Sequence, residues 1–303
     1  MHPDDGIILV TGATGFIGRR LVMALLGEGW RVRCLVRRHD VPLPEGAERF
    51  VGDLLIPAGL SAAFAGVSGA YYLVHSMAGG RAGFERRDRQ AAQNFIFAAD
   101  QSKVARVIYL GGLGETGDNL SEHLASRIEV ARILKNGKFS TTFLRAAVII
   151  GAGGASFEMI RALVERLPVM ITPRWVSTRC QPIAVGDVIR YLIGCLREER
   201  TAGDTFDIGG PEILSYREMM ERFARMIGRN CLILSVPFLT PKLSSYWVGL
   251  ITPVRPSISM PLIEGLANEV TCRDKRIGGI IPFSLTTYDD AVGIALSEEQ
   301  KSG

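Results

Sequence analysis

Gly12, Gly15 and Gly18 stand at GxxGxxG spacing inside LVTGATGFIGRR, residues 9–20, between an apolar extended run and a helical pattern. That spacing serves one kind of chemistry, the cradling of a pyrophosphate. Glycine permits the tight turn and the close approach of phosphate oxygens, and the third glycine lets the helix pack against the strand. The start of the helix adds unpaired amides and a dipole favourable to anions. Thr14, Phe16 and Ile17 lie within the same turn and complete the expected cofactor-binding set there.

The end of the second strand selects the ribose chemistry. A free diol usually meets an acidic residue about 20 positions after the glycines. Here the strand closes as CLVRRHD, with Arg37 and Arg38 at that edge and Asp40 just beyond. Two guanidinium groups match a 2′-phosphate and offer nothing to a diol, so NADP is expected ahead of NAD. Asp53, after RFVG, is the expected partner for an adenine amino group, and Leu54 is expected to pack the ring. VHSMAGG, residues 74–80, places His75 and Ser76 beside the cofactor and Met77 on an apolar wall.

These residues need a scaffold, and the first half of the chain supplies an alternation of apolar runs and helical patterns. GIILVTG, WRVRCLVRR, RFVGDL, GAYYLVHS, VARVIYLGG and TTFLRAAVII read as strands. Helices are expected near 15–28, 57–65, 84–101 and 121–136. Alternation of this kind predicts a parallel sheet covered on both faces. After Gly151 the rhythm loosens into ASFEMIRALVERL as a helix, RCQPIAV as a short strand segment, a helix over 186–199 and DTFDIGG as a returning strand. Ser215 with Glu218, and Thr287 with Asp290, stand at capping-box spacing and predict two helix starts. The expected division is a dinucleotide-binding core over 1–151 and a mixed region over 152–303, whose smaller lobe is drawn mainly from 152–182 and 210–285.

TGATGFIG, GDL and this order of elements resemble the extended and atypical short-chain dehydrogenase/reductase superfamily. VRR, ERRDRQAAQNF and HLASRIEVARIL are similar to its NmrA-like and complex I accessory-subunit-like branch. The resemblance runs through QPIAVGDV and FDIGGPEILSYREMM, so it covers essentially the whole chain. It implies a Rossmann-like, doubly wound parallel α/β sheet with a smaller C-terminal lobe, and an NAD(P) cofactor. Active relatives carry a serine at the end of the fifth strand and a tyrosine followed four residues later by a lysine on the next helix. In this chain the strand ends in Gly111 and Gly112, His123 takes the tyrosine position, and Arg127 takes the lysine position. Histidine has a proton to give near neutral pH. Arginine anchors ribose or phosphate but does not relay a proton. Asn94 resembles the structural asparagine of the preceding helix, and Ala146 replaces a proline common near nicotinamide.

A ligand above the nicotinamide would be enclosed by the second lobe, with Phe157, Met159, Trp175, Arg179 and Gln181 as expected lining residues. The leading expectation is therefore an NADP-preferring oxidoreductase acting on an apolar carbonyl or a quinone-like compound. A noncatalytic NADP(H) sensor or scaffold is the alternative, and an epimerase or dehydratase comes third.

Composition narrows the partners. The 303 residues carry 35 basic and 31 acidic side chains, a formal charge of +4 without a basic tail, so a small molecule or dinucleotide is expected and nucleic acid is not. Five scattered cysteines and four dispersed histidines predict reduced thiols and no metal site. No signal peptide is expected, and the location implied is cytoplasmic. The stretch from Cys231 to Leu266 is the greasiest in the chain, but prolines and polar residues interrupt it before the roughly 20 apolar residues of a membrane span. It is read as lobe packing, with a membrane surface or protein partner as the alternative.

Overall fold

The computed structural model describes residues 1–74, 81–114, 122–236 and 269–302. Seven parallel strands form the central sheet. In chain order they are β1 (Ile7–Thr11), β2 (Arg31–Val36), β3 (Glu48–Val51), β4 (Val67–Tyr72), β5 (Arg106–Gly112), β6 (Ser140–Ala146) and β11 (Thr205–Ile208). Their spatial order is β11-β6-β5-β4-β1-β2-β3. The chain starts in the middle, works to one edge, and returns through β4 to the other. This is the doubly wound, Rossmann-like arrangement, with its topological switch point between β1 and β4.

Alternation along the strands sorts the core into two layers. Ile8, Val10, Ile108 and Leu144 face α1 (Phe16–Gly27) and α6 (Val185–Arg197). Leu9, Ala70, Tyr72 and Phe143 face α3 (Arg81–Gln101) and α4 (Glu122–Leu134). Both layers exclude water, which is why β1 is apolar without a polar face. The helix α2 is a single turn, Leu60–Ala63, shorter than the pattern over 57–65 predicts.

A third apolar cluster belongs to the lobe. It joins α5 (Ala155–Arg166) to α7 (Tyr216–Met226) and to α9 (Tyr288–Ser302), which follows the short α8 (Arg276–Ile280). Both expected capping pairs are present: the Glu218 amide donates to Ser215 Oγ at 3.2 Å, and the Asp290 amide donates to Thr287 Oγ1 at 3.2 Å. Two features differ from the sequence expectation. RCQPIAV divides into β9 (Arg179–Cys180) and β10 (Ile183–Ala184), which pair with β12 (Leu214–Ser215) and β7 (Ile149–Ile150) respectively. Two further strands, β8 (Val169–Pro173) and β13 (Leu232–Val236), pair in parallel although about sixty residues separate them in sequence.

Candidate dinucleotide site

β1 ends at the switch point, where Thr11 fastens the strand to its neighbour. Its hydroxyl donates to the Tyr71 carbonyl at 2.9 Å and accepts from the Leu73 amide at 3.2 Å. The chain then turns through Gly12 at φ +69°, a left-handed conformation that favours glycine. A Cβ there would lie 2.6 Å from the Leu73 carbonyl oxygen, and one on Gly18 would lie 2.1 Å from the Gly12 carbonyl oxygen. Both contacts are impossible for a real side chain. The two glycines thus bring β1, the start of α1 and the chain after β4 into one tight junction.

Gly15 is the N-cap of α1 and provides no side-chain hydrogen bond to the helix. The first-turn amides, those of Phe16, Ile17 and Gly18 among them, have no acceptor within the helix and are suited to a phosphate. Thr14 is exposed beside them, while Phe16 and Ile17 are half-buried. The Phe16 ring packs beneath the turn at Gly151 and Gly154, and the Arg20 guanidinium lies 4.8 Å from its centre. Phe16 would therefore serve a phosphate through its backbone.

At the end of β2, Arg37 and Arg38 are both exposed. Arg38 pairs with Asp40 at 3.1 Å, so the acidic residue nearest this edge is engaged by a cation. Arg37 has no ion-pair partner among the described residues. Asp53 caps its own turn, accepting from the Leu55 amide at 2.9 Å. The Leu54 side chain departs from its expected role on the adenine. It is 4% exposed and belongs to the core beneath β3, because the turn directs it inward. Its carbonyl accepts from Asn94 Nδ2 at 2.6 Å, which ties the Asp53 turn to α3.

The fifth strand ends as expected without a hydroxyl. Gly111 and Gly112 are buried opposite Arg145 and Ala146. Arg127 is half-buried on α4, and its carbonyl accepts from the Tyr109 hydroxyl at 3.4 Å. One residue earlier, buried Ser126 donates to Asp88 Oδ2 at 3.2 Å. Asp88 is only 3% exposed, so the charged run ERRDRQ sends one carboxylate between α3 and α4. Repetitive charge hides such an inward position. Only its place on the helical face, four residues before buried Ala92, signals it. His75, Ser76 and Met77, and the side chains of His123 and Trp175, lie outside the described residues.

The expected lining residues of the second lobe separate. Phe157 and Met159 are 1% and 4% exposed and are lobe core, with the Phe157 ring 5.9 Å from that of Phe223. They face inward because α5 must bury that side against α7. Gln181 is used at both ends of its amide: Nε2 donates to the Gly210 carbonyl at 2.7 Å, and Oε1 accepts from the Cys272 amide at 3.0 Å. Arg179 is exposed on β9. A cleft of about 220 Å³ opens between α4 and the sheet, bounded by Tyr109, Gly111, Arg132, Phe143 and Arg145. Chambers for drug-sized ligands hold about 300–1,000 Å³, so this cleft by itself is small for a substrate chamber.

Thiol chemistry is disfavoured throughout. Burial pushes Cys34, Cys180, Cys195 and Cys272 up to about 12, which keeps them protonated at neutral pH. Among the described residues, no group of three metal-ligating side chains comes together, and no helix is long and apolar enough to cross a membrane.

Comparison with known proteins agrees with the geometry of the cradle. Residues 12–157 match a family model described as NAD(P)H-binding. The chain is 33% identical over 199 residues to a ceramide reductase of Caulobacter vibrioides, an alignment spanning 63% of this chain and 61% of that protein. It is 26% identical over 239 residues to the photosystem II assembly factor Ycf39 of Cyanophora paradoxa, covering 76% of this chain and 71% of that one. Among solved structures, MoeE5 in complex with UDP-glucuronic acid and NAD superposes with a TM-score of 0.75 at 20% identity, over 98% of this chain and all of that one. At that identity the likeness is one of fold.

Proposed function

We propose that this chain, an NAD(P)-binding protein of the atypical short-chain dehydrogenase/reductase superfamily, is an NADP-preferring oxidoreductase for an apolar carbonyl or quinone-like substrate. The observation that carries the reading is the junction at Gly12 and Gly18. It leaves the first turn of α1 uncapped by any side chain at the switch point of the sheet. An uncapped helix start is an anion site, and a nicotinamide dinucleotide fits the remaining residues around it. Similarity to a reductase that, by its name, acts on a ceramide supports the apolar substrate class.

When bound, NADPH supplies a hydride to the substrate carbon. This chain's residues do the rest. Arg37 and Arg38 hold the 2′-phosphate, and the exposed Arg38–Asp40 pair opposes this weakly, because such pairs contribute only about 0–1 kcal/mol. Asp53 receives the adenine amino group. Arg127 anchors the ribose from α4. His123 gives its proton to the substrate oxygen, and water returns one afterwards.

A second reading has its own support. Gly111 provides no hydroxyl to orient a substrate, and one similar protein is an assembly factor. On that reading the chain binds NADP(H) as a sensor or scaffold. Paired titrations with NADPH and NADH, followed by NADPH oxidation assays with quinones and small aldehydes, separate the two. NADPH binding at least about tenfold tighter than NADH, with turnover lost in His123→Gln, supports the enzyme. Tight binding without oxidation of NADPH favours the sensor, and absence of binding overturns both.

A further inference from the structure

The ribbon formed by β8 and β13 has two unlike faces. Side chains alternate along a strand, so Met170, Thr172 and Ile233 turn into the lobe and are buried there. The residues between them turn outward. Val169, Ile171, Leu232 and Leu234 are 49%, 58%, 55% and 47% exposed. The register sets Val169 beside Leu232 and Ile171 beside Leu234. Two aliphatic pairs therefore lie next to one another as a single patch. An exposed sheet face of this kind marks an interaction surface.

The surroundings indicate what covers it. Arg166 and Arg229 are exposed, each three residues before its strand, and Arg229 reaches across to the Glu165 carbonyl at the end of α5. With exposed Glu165 beside them, they form a cluster of two arginines and one carboxylate, net positive, at the end of the ribbon where both strands begin. β13 leads directly into residues 237–268, a stretch outside the described residues whose sequence has three charged side chains, Lys242, Arg255 and Glu264, in 32 positions. The patch is aliphatic, with none of the tyrosine and tryptophan that enrich protein interfaces. Four half-exposed side chains also fall well short of the roughly 800 Å² that each partner of a stable complex buries. Apolar side chains beside cations match the acyl and headgroup layers of a membrane surface.

We propose that the outer face of the β8-β13 ribbon docks on a lipid bilayer containing anionic headgroups. The inference stands on the ribbon and holds whether or not the chain turns over a substrate. Docking is shallow and reversible, with Ile171 and Leu234 entering the acyl boundary.

Flotation of the full chain with phosphatidylcholine vesicles, with and without a quarter phosphatidylglycerol, tests it. The wild-type chain is expected to float with the anionic vesicles. The double variant Ile171→Glu, Leu234→Glu is expected to lose about tenfold or more of the bound fraction while keeping its NADPH affinity and melting temperature. A wild-type chain that stays unbound to both vesicle types overturns the proposal. So does a folded double variant that floats like the wild type. If sedimentation shows a wild-type dimer that the double variant separates, and neither protein floats, the face belongs to a second copy and lipid docking is wrong. NADPH titration of the same samples is independent of flotation, so failure of the cofactor reading and failure of the docking proposal are distinguishable.

Discussion

The β1-α1 turn and the β8-β13 ribbon are both made from apolar extended chain, and they end in opposite situations. All five residues of β1 are buried, and the turn after it is closed by its own atoms, with the Gly12 carbonyl where a Gly18 side chain would be. The ribbon buries one face and leaves four aliphatic side chains outside. Where the interior dictates a position, a substitution damages structure and binding together. Where the interior leaves a face open, a substitution changes only what the surface meets.

The largest effect is expected at the turn. Gly18→Ala would force α1 away from Gly12, weakening NADPH binding on the order of 100-fold and costing about 1–3 kcal/mol of stability. Titration and thermal unfolding read the two losses, and wild-type affinity in this variant would break the proposed link between close packing and binding. Next, Arg37→Ala with Arg38→Ala is expected to weaken NADPH about tenfold or more, since charge-assisted hydrogen bonds contribute about 1.5–3 kcal/mol each, and to leave NADH unchanged. Equal loss for both nucleotides would remove the 2′-phosphate assignment.

Thr11→Val tests the fastening of β1 to β4. It leaves the Leu73 amide without its acceptor and should cost about 1–3 kcal/mol in denaturant unfolding, without altering the preference between nucleotides. A smaller effect belongs to the lobe. The Ser215 amide and hydroxyl hold Glu218 below the usual carboxylate range. Its contribution is then complete above the unfolded value of about 4.3 and is lost as pH falls through the lower folded value. Glu218→Gln should cost about 0.3–1 kcal/mol at neutral pH, and its melting temperature should converge with the wild type as pH drops below 4.3. Divergence on acidification would contradict that sign. Smallest of all, Ile171→Glu with Leu234→Glu should change stability by no more than about 0.5 kcal/mol per exposed site. A large loss would show that the ribbon's outer face is structural.

Local chemistry made much of this molecule legible. The glycine spacing, the basic pair closing β2 and the strand-helix alternation all express short-range constraints, and the core sheet and cradle follow them. The Ser215 and Thr287 caps were legible for the same reason, since a cap and its partner lie three residues apart. Periodicity was silent where the answer depended on a distant partner. Phe157 and Met159 have the composition of a pocket wall, yet α7 covers them. Gln181 has a free-looking amide in sequence, yet Gly210 and Cys272 take both ends of it. Leu54 lies beside the expected adenine partner and turns into the core instead.

By itself the sequence determined the α/β alternation and the GxxGxxG spacing, because residue identity and short spacing are sufficient for each, while the places of Gly111, His123 and Arg127 are what the family resemblance implies. Only the tertiary structure decided that Asp88 lies between two helices, that Phe157 and Phe223 face inward, and that Val169 stands beside Leu232. Strand pairing across sixty-odd residues and the burial of a charge are settled by the free energy of the whole packed chain, in which distant backbone groups and apolar side chains are paired together.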